Sequence, residues 1–215
     1  MRVHIITSME NNHSKAMAQL TLDSAIYNSG YQPEIFSAYD ANTGAQLLTN
    51  NNIKLRQGYP AHSLEVVGRI ASHIALWNIC VQANEPIIVA EHNALFLRDW
   101  DNPNFADVLH LNCYGSYLRA HEWAEAAVND RYAPIQENSV YRMGFEPFDF
   151  PGSVSMSTTF GYAIKPHAAL SLIQSAFRDG YCFADRFMAE PLISIATVHP
   201  PIAHEQLISD MSTAR

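Results

Sequence analysis

Apolar residues recur along this chain with two different periods, and the point where one gives way to the other offers the candidate chemistry. Between Gly68 and Trp100, Ile70, Ile74, Trp77 and Val81 follow one another at three- and four-residue steps, with Ser72, His73 and Asn78 between them. This is the spacing of a half-buried helix. The helix is expected to stop near Asn84, because Pro86 lacks a backbone donor and pushes the residue before it towards extended geometry. Ile87 to Ala90 then form a continuous apolar run that reads as a strand covered on both faces. The run ends in Glu91, His92 and Asn93, polar side chains at the rim of a sheet, where open α/β folds place their ligands.

The same reading applied from the N-terminus gives a β-α-β opening. Val3 to Thr7 is the first strand, and Ser8 to Ser14 is the loop at its carboxyl end. Ala16, Leu20, Leu22, Ala25 and Ile26 support a helix from about Lys15 to Asn28, with Ser14 as its N-cap and Gly30 as its stop. Pro33 to Ser37 is the second strand, which predicts a parallel pair. Ala38 to Ser63 is dominated by Asn, Gly, Thr and Gln, and reads as a surface loop or functional flap with a short helical turn around Ala45 to Leu48. Asp107 to Cys113 is a further strand candidate and Leu118 to Asn129 a helix candidate, while Tyr132 to Gly152 is too rich in Pro, Gly and aromatics for a long regular element. The fold class that follows is α/β and Rossmann-like: one domain over residues 1–215, with a mostly parallel central sheet flanked by helices.

Composition narrows the function classes. With 215 residues and 48% apolar content the chain can bury one sizeable core. A formal charge of -8 argues against a general electrostatic grip on nucleic acid or on an anionic membrane. Cys80, Cys113 and Cys182 are widely separated, odd in number and free of any Cys-x-x-Cys pair, as expected of reduced thiols in a cytoplasmic protein. No export signal and no membrane-spanning apolar stretch is visible. Arg119, His121, Arg131 and Arg142 bring positive charge to the stretch that also holds Tyr114, Tyr117, Tyr132, Tyr141 and Phe145. Those rings suit either stacking on sugars or filling the core beneath long loops.

Several segments resemble glycosyltransferase family 25, the lipooligosaccharide and collagen galactosyltransferase group. Gly68, Ser72, His73, Leu76 and Trp77 fit that family's Gly-x-x-x-Ser-His helix, and Glu91 fits the first residue of its Glu-Asp-Asp cluster. His92 and Asn93 stand where the next two acids would be. Thr158 to Pro166, with Gly161 and Tyr162, is similar to the family's Gly-Tyr-x-Ile strand. Phe183 to Phe187, around Asp185, is similar to its Pro-Val-Asp segment, and His199 to Ala203 to its late Pro-Pro strand end.

The resemblance implies a GT-A-like fold that moves a sugar from a nucleotide diphosphate sugar, by family habit a uridine one, to a hydroxyl acceptor such as a lipopolysaccharide sugar, with inversion. It implies a divalent ion, Mn²⁺ or Mg²⁺, at the diphosphate. Glu91 and Asn93 are expected to hold it, on the same side of an extended segment with His92 pointing elsewhere, and His199 or His204 to complete the set. Asp185 is the expected base for the acceptor hydroxyl, or else an N-cap for the helix containing Phe187 and Met188. Thr7, Asp40, His73, Gly161 and Tyr162 are the expected nucleotide-side residues. Other outcomes are a transferase in which His92 or arginines replace the ion, a sugar-nucleotide binder without turnover, a hydrolase, and a hydroxymethylated DNA base as acceptor. Trp77 reads as core, and His73 as either a hydrogen-bonded core residue or one that orients the strand end or holds a phosphate.

Overall fold

The computed structural model describes residues 1–56, 64–112, 139–142, 159–188 and 192–206, with backbone alone at 64–65, 139–142, 185–186 and 199. In chain order the elements are β1 (Arg2–Thr7), α1 (Asn12–Tyr27), β2 (Gln32–Ser37), α2 (Ala41–Asn50), α3 (Leu64–Ala83), β3 (Ile87–Glu91), β4 (Ala94–Phe96), β5 (Val108–His110), β6 (Ser139–Arg142), β7 (Gly161–Ile164), α4 (Pro166–Asp179), α5 (Ala184–Phe187), β8 (Ile195–His199) and β9 (Ala203–Glu205). Strands pair into a seven-stranded sheet of order β2-β1-β3-β7-β5-β8-β6 and a two-stranded one, β4-β9. β1 is parallel to β2 and β3, and β5 is parallel to β8; β7 runs antiparallel between β3 and β5, and β6 is antiparallel to β8. Five of the seven strands therefore run one way, and their carboxyl ends share one edge. This is the mostly parallel α/β sheet that the sequence predicts.

Apolar side chains cover both faces of the sheet. Ile6, Val89 and Ile164 face a cluster built with α3 and α4, centred on Trp77 and Leu172. Val3, Ile5, Ile88, Ala90 and Ala163 face another built with α1 and the β4-β9 ribbon. The alternation along β1, β3 and β7 sends successive residues to opposite clusters, so a strand without a polar face is what two-sided burial requires.

Element ends correct the sequence reading in three places. Asn11, not Ser14, caps α1: its Oδ1 accepts from the backbone N–H of His13 and of Ser14, while the Ser14 hydroxyl accepts from the Ser8 N–H. The supposed turn at Ala45 to Leu48 is a full helix, α2, because Asp40 caps it by accepting from the Asn42 and Thr43 N–H groups and Thr43 closes a capping box. The β4-β9 ribbon has no counterpart in the sequence reading, since three-residue strands carry too little periodicity to be seen. The helix candidate at Leu118 to Asn129 and the aromatics from Tyr114 to Tyr132 lie outside the described residues, as does Phe145.

Gly68 and Ser72 show what the helix motif does. A Cβ at Gly68 would run into the Tyr39 carbonyl oxygen and lie 3.0 Å from the Asp40 carbonyl, and one at Gly44 would lie 2.9 Å from the Gly68 Cα. The helices α2 and α3 thus cross with backbone against backbone. One turn on, Ser72 donates to the Gly68 carbonyl and accepts the Tyr39 N–H at 2.9 Å, which pins the end of the β2-α2 connection to α3. Gly68→Ala is expected to destabilise the fold by about 1–3 kcal/mol, the usual cost of overpacking against atoms that cannot rotate away. Equilibrium denaturant unfolding measures this, and an unchanged midpoint would show that the crossing is not as tight as described.

Candidate active site

The carboxyl edge of the sheet opens into a cavity of about 380 Å³, and Glu91, His92, Asn93, Thr159, Arg69 and Glu205 contribute to its wall. Phe183 and Ala184 line it as well, which places the start of α5 and the backbone of Asp185 beside it. β3 delivers Glu91 here, and the Glu91 N–H bonds the Phe160 carbonyl at 2.7 Å, so strand pairing fixes the acid against the residue after Thr159. Beyond Glu91 the chain turns at once. His92 therefore faces the cavity with its neighbours instead of alternating away from them, which corrects the expectation drawn from an extended segment. The turn is held by the Thr21 hydroxyl of α1, which donates to the His92 carbonyl at 2.7 Å.

Behind Glu91 runs a buried chain of polar groups. Trp77 Nε1, which can only donate, bonds the Tyr162 hydroxyl at 2.9 Å, and that hydroxyl lies 2.8 Å from His73 Nδ1. With its oxygen accepting from Trp77, Tyr162 donates its own proton to His73 Nδ1, so neutral His73 carries its proton on Nε2. Nε2 has no hydrogen-bond partner among the described residues and points at Glu91 Oε1 from 4.0 Å. The same carboxylate oxygen accepts a short hydrogen bond from the Thr159 hydroxyl. His73 is fully buried, and desolvation is the main reason its pKa falls to about 4; Glu91 opposes that shift and Arg69 adds to it. Burial pushes the Tyr162 phenol far up, so it stays protonated.

The structure distributes the expected site residues unevenly. Glu91 and Asn93 line the cavity. His73 and Tyr162 stand behind it without lining it: the Tyr162 hydroxyl is spent on Trp77 and His73 Nδ1, and His73 keeps only Nε2 unpaired among the described residues. Gly161 sits in regular register opposite Ala90, where a Cβ would make an ordinary 3.4 Å contact with Leu111, so neither a bulge nor a close ligand approach explains it. The Thr7 hydroxyl is buried and donates to the Ile5 carbonyl, and the Asp40 carboxylate is the α2 cap, held below its usual pKa by the Thr43 N–H and hydroxyl. His199 closes β8 and Asp185 lies in α5, and the side chains of both fall outside the described residues, as do Arg119, His121, Arg131 and the Arg142 side chain. His204 is exposed and bonds the Glu205 carbonyl through Nδ1, so it does not join the cavity.

Two cavity residues escaped the sequence reading. Arg69 follows Gly68 on the exposed side of the helix motif, and its guanidinium makes no ion pair or hydrogen bond among the described residues. Glu205 arrives through the β4-β9 ribbon, in which it pairs with Ala94 and accepts from Asn93 Nδ2 at 3.2 Å. Asn93 Oδ1 is buried and has no hydrogen-bond partner among the described residues. Burial also lowers the pKa of His92, which leaves that ring neutral near pH 7.

Because the His73 pKa is about 4 in the fold and near 6.5 when unfolded, the unfolded chain binds the extra proton first as pH falls. Its contribution to stability is complete above about pH 6.5 and is lost progressively down to about pH 4, a total of roughly 3 kcal/mol. Chemical unfolding between pH 7 and pH 4 should therefore show a steeper loss for the parent than for His73→Gln, and parallel curves would refute the assignment.

Residues 1–188 match the family model described as glycosyltransferase family 25 (LPS biosynthesis protein). No curated protein matches the chain. Among solved structures, the apo form of mouse xyloside xylosyltransferase 1 is similar with a TM-score of 0.41 and 10% identity, over 86% of this chain and 79% of that one. Spanning every strand of the seven-stranded sheet except β8, the helix motif with Gly68, Ser72 and His73, and the Glu91 strand end, the family match shows that this chain belongs to glycosyltransferase family 25.

Proposed function

We propose that the chain, acting as one domain, transfers a sugar from a nucleotide diphosphate sugar to a hydroxyl acceptor in the cavity beside Glu91. Glycosyl transfer itself follows from the family; the donor, the acceptor and the stereochemistry are our reading. A uridine diphosphate sugar as donor and a lipopolysaccharide sugar as acceptor fit the family description. The observation that carries the proposal is the wall of the cavity, which brings Glu91, Asn93 and Arg69 together with the segment that leads into Asp185.

Transfer with inversion needs one displacement. The acceptor oxygen bonds the anomeric carbon as the bond to the diphosphate oxygen breaks, and the hydroxyl proton goes to a base, for which Asp185 is proposed. Negative charge builds on the leaving diphosphate, so groups that meet it there lower the barrier most. Arg69 offers a guanidinium with its donors unspent, suited to bidentate phosphate contact.

The residues at the strand end fit a divalent ion. Asn93 Oδ1 is an orphaned buried oxygen, and Glu91 supplies a carboxylate beside it, both hard donors of the kind Mg²⁺ and Mn²⁺ accept. A divalent ion bound there supplies positive charge to the diphosphate. Glu91 is kept oriented for that role by its hydrogen bond from the Thr159 hydroxyl, with the unpaired His73 Nε2 4.0 Å behind it.

Uridine diphosphate with Mn²⁺ should raise the melting temperature of the protein, since a ligand bound only by the folded state stabilises it. Arg69→Ala is expected to weaken uridine diphosphate binding by about tenfold while leaving uridine alone unaffected, the loss of one charge-assisted contact. Asp185→Asn should keep the thermal shift and lose at least about a hundredfold in turnover. Turnover near the parent rate in that variant would remove Asp185 as the base.

A further inference from the structure

Glu205 lies beyond the residues that match the family, yet it reaches the cavity wall next to the position where this chain lacks an acid. Asn93 stands in the turn after β3, and its Nδ2 donates to Glu205 Oε1 at 3.2 Å. That contact is no accident of a mobile tail. β9 pairs antiparallel with β4, placing Glu205 opposite Ala94, and the Gln206 N–H bonds the Asn93 carbonyl at 2.8 Å, so backbone ties on both sides hold the acid against the turn. The amide nitrogen is thereby committed to Glu205, and Asn93 Oδ1 is left buried without a donor among the described residues.

Charge gives the second line of argument. Among the lining residues the cavity holds two carboxylates, Glu91 and Glu205, against one guanidinium, Arg69. The balance is negative, whereas a diphosphate carries negative charge on both phosphoryl groups. Such a wall repels the donor unless a cation sits in it. Among the described residues no set of three or more His, Cys, Asp or Glu side chains forms a metal site, and Asn93 Oδ1 is the further hard oxygen beside these two acids in the cavity wall.

We propose that Glu205 is a ligand of the divalent ion, supplying from β9 the carboxylate that Asn93 does not, so that Glu91, Asn93 and Glu205 form a set of hard oxygens. The inference rests on reading the cavity as the diphosphate site, and it extends that reading to a residue outside the matched stretch 1–188. Asn93 then has two tasks: its nitrogen orients Glu205 and its oxygen faces the ion.

The test uses Mn²⁺ alone, without nucleotide, titrated into the full chain and followed by the electron paramagnetic resonance signal of free Mn²⁺. Glu205→Gln should weaken Mn²⁺ binding by at least about tenfold, while melting in metal-free buffer stays at the parent value. Asn93→Asp, which adds a carboxylate where the amide oxygen stands, should tighten Mn²⁺ binding several-fold, and this arm decides the matter if Glu205→Gln folds poorly. Parent-like Mn²⁺ affinity in Glu205→Gln, no tightening in Asn93→Asp, or no Mn²⁺ binding by the parent at millimolar concentration would each overturn the assignment. The transferase reading is judged separately: uridine diphosphate that raises the melting temperature equally with and without chelator would keep that reading and sink the Glu205 ligand.

Discussion

Everything at the carboxyl edge depends on a polar chain that folding had to bury. Trp77, Tyr162 and His73 are each fully enclosed, and each would be costly there without the next. Trp77 and His73 come from one helix, Tyr162 from the strand on the far side of β3, so the hydrogen bonds lock α3 over the β3-β7 pair. The chain leaves one donor unspent, the His73 N–H, and aims it at Glu91. A carboxylate at the end of a hydrophobic strand thus has the His73 N–H 4.0 Å behind it, and the Thr159 hydroxyl hydrogen-bonds it from the segment that leads into β7.

The same helix sets the other wall. Its contact with the Tyr39-Asp40 backbone works only because Gly68 has no side chain, and Ser72 converts that proximity into a hydrogen bond. Between those residues Arg69 emerges towards the cavity. One stretch of α3 therefore performs three structural tasks on different faces: it admits the β2-α2 connection, supports Glu91 and presents a cation. The period of 3.6 residues makes this possible, since residues 68 and 72 share the face that meets Tyr39, and residues 69 and 73 share the neighbouring one.

Sheet order explains how pairs of residues 68 and 112 positions apart meet. The antiparallel β7 enters between β3 and β5, so Thr159, just before β7 begins, stands beside Glu91, where β3 ends. The short ribbon of β4 and β9 does the same for Asn93 and Glu205. In both pairs one partner is followed or preceded by a strand that fixes its height, which is why polar side chains from distant segments arrive within hydrogen-bonding distance.

Several features were legible in the residues themselves. The opening β-α-β unit, the long helix that ends before Asn84 and the buried strand into Glu91 follow from periodicity and from Pro86, because these local rules agree with the burial that folding later imposes. Asn84 adopts a left-handed φ of 52° at the end of α3, the conformation an Asn there tolerates. The carboxylate at the strand end was visible as a polar residue closing an apolar run. What only the tertiary structure decided was partnership. No spacing in the sequence links His73 to Tyr162 or Asn93 to Glu205, since strand pairing and helix packing across the sheet, not chain distance, determine which polar atoms share a buried space. Asp40 illustrates the reverse: a residue that looks like a ligand-side acid from its neighbours is a helix cap once the backbone N–H groups of Asn42 and Thr43 turn towards it.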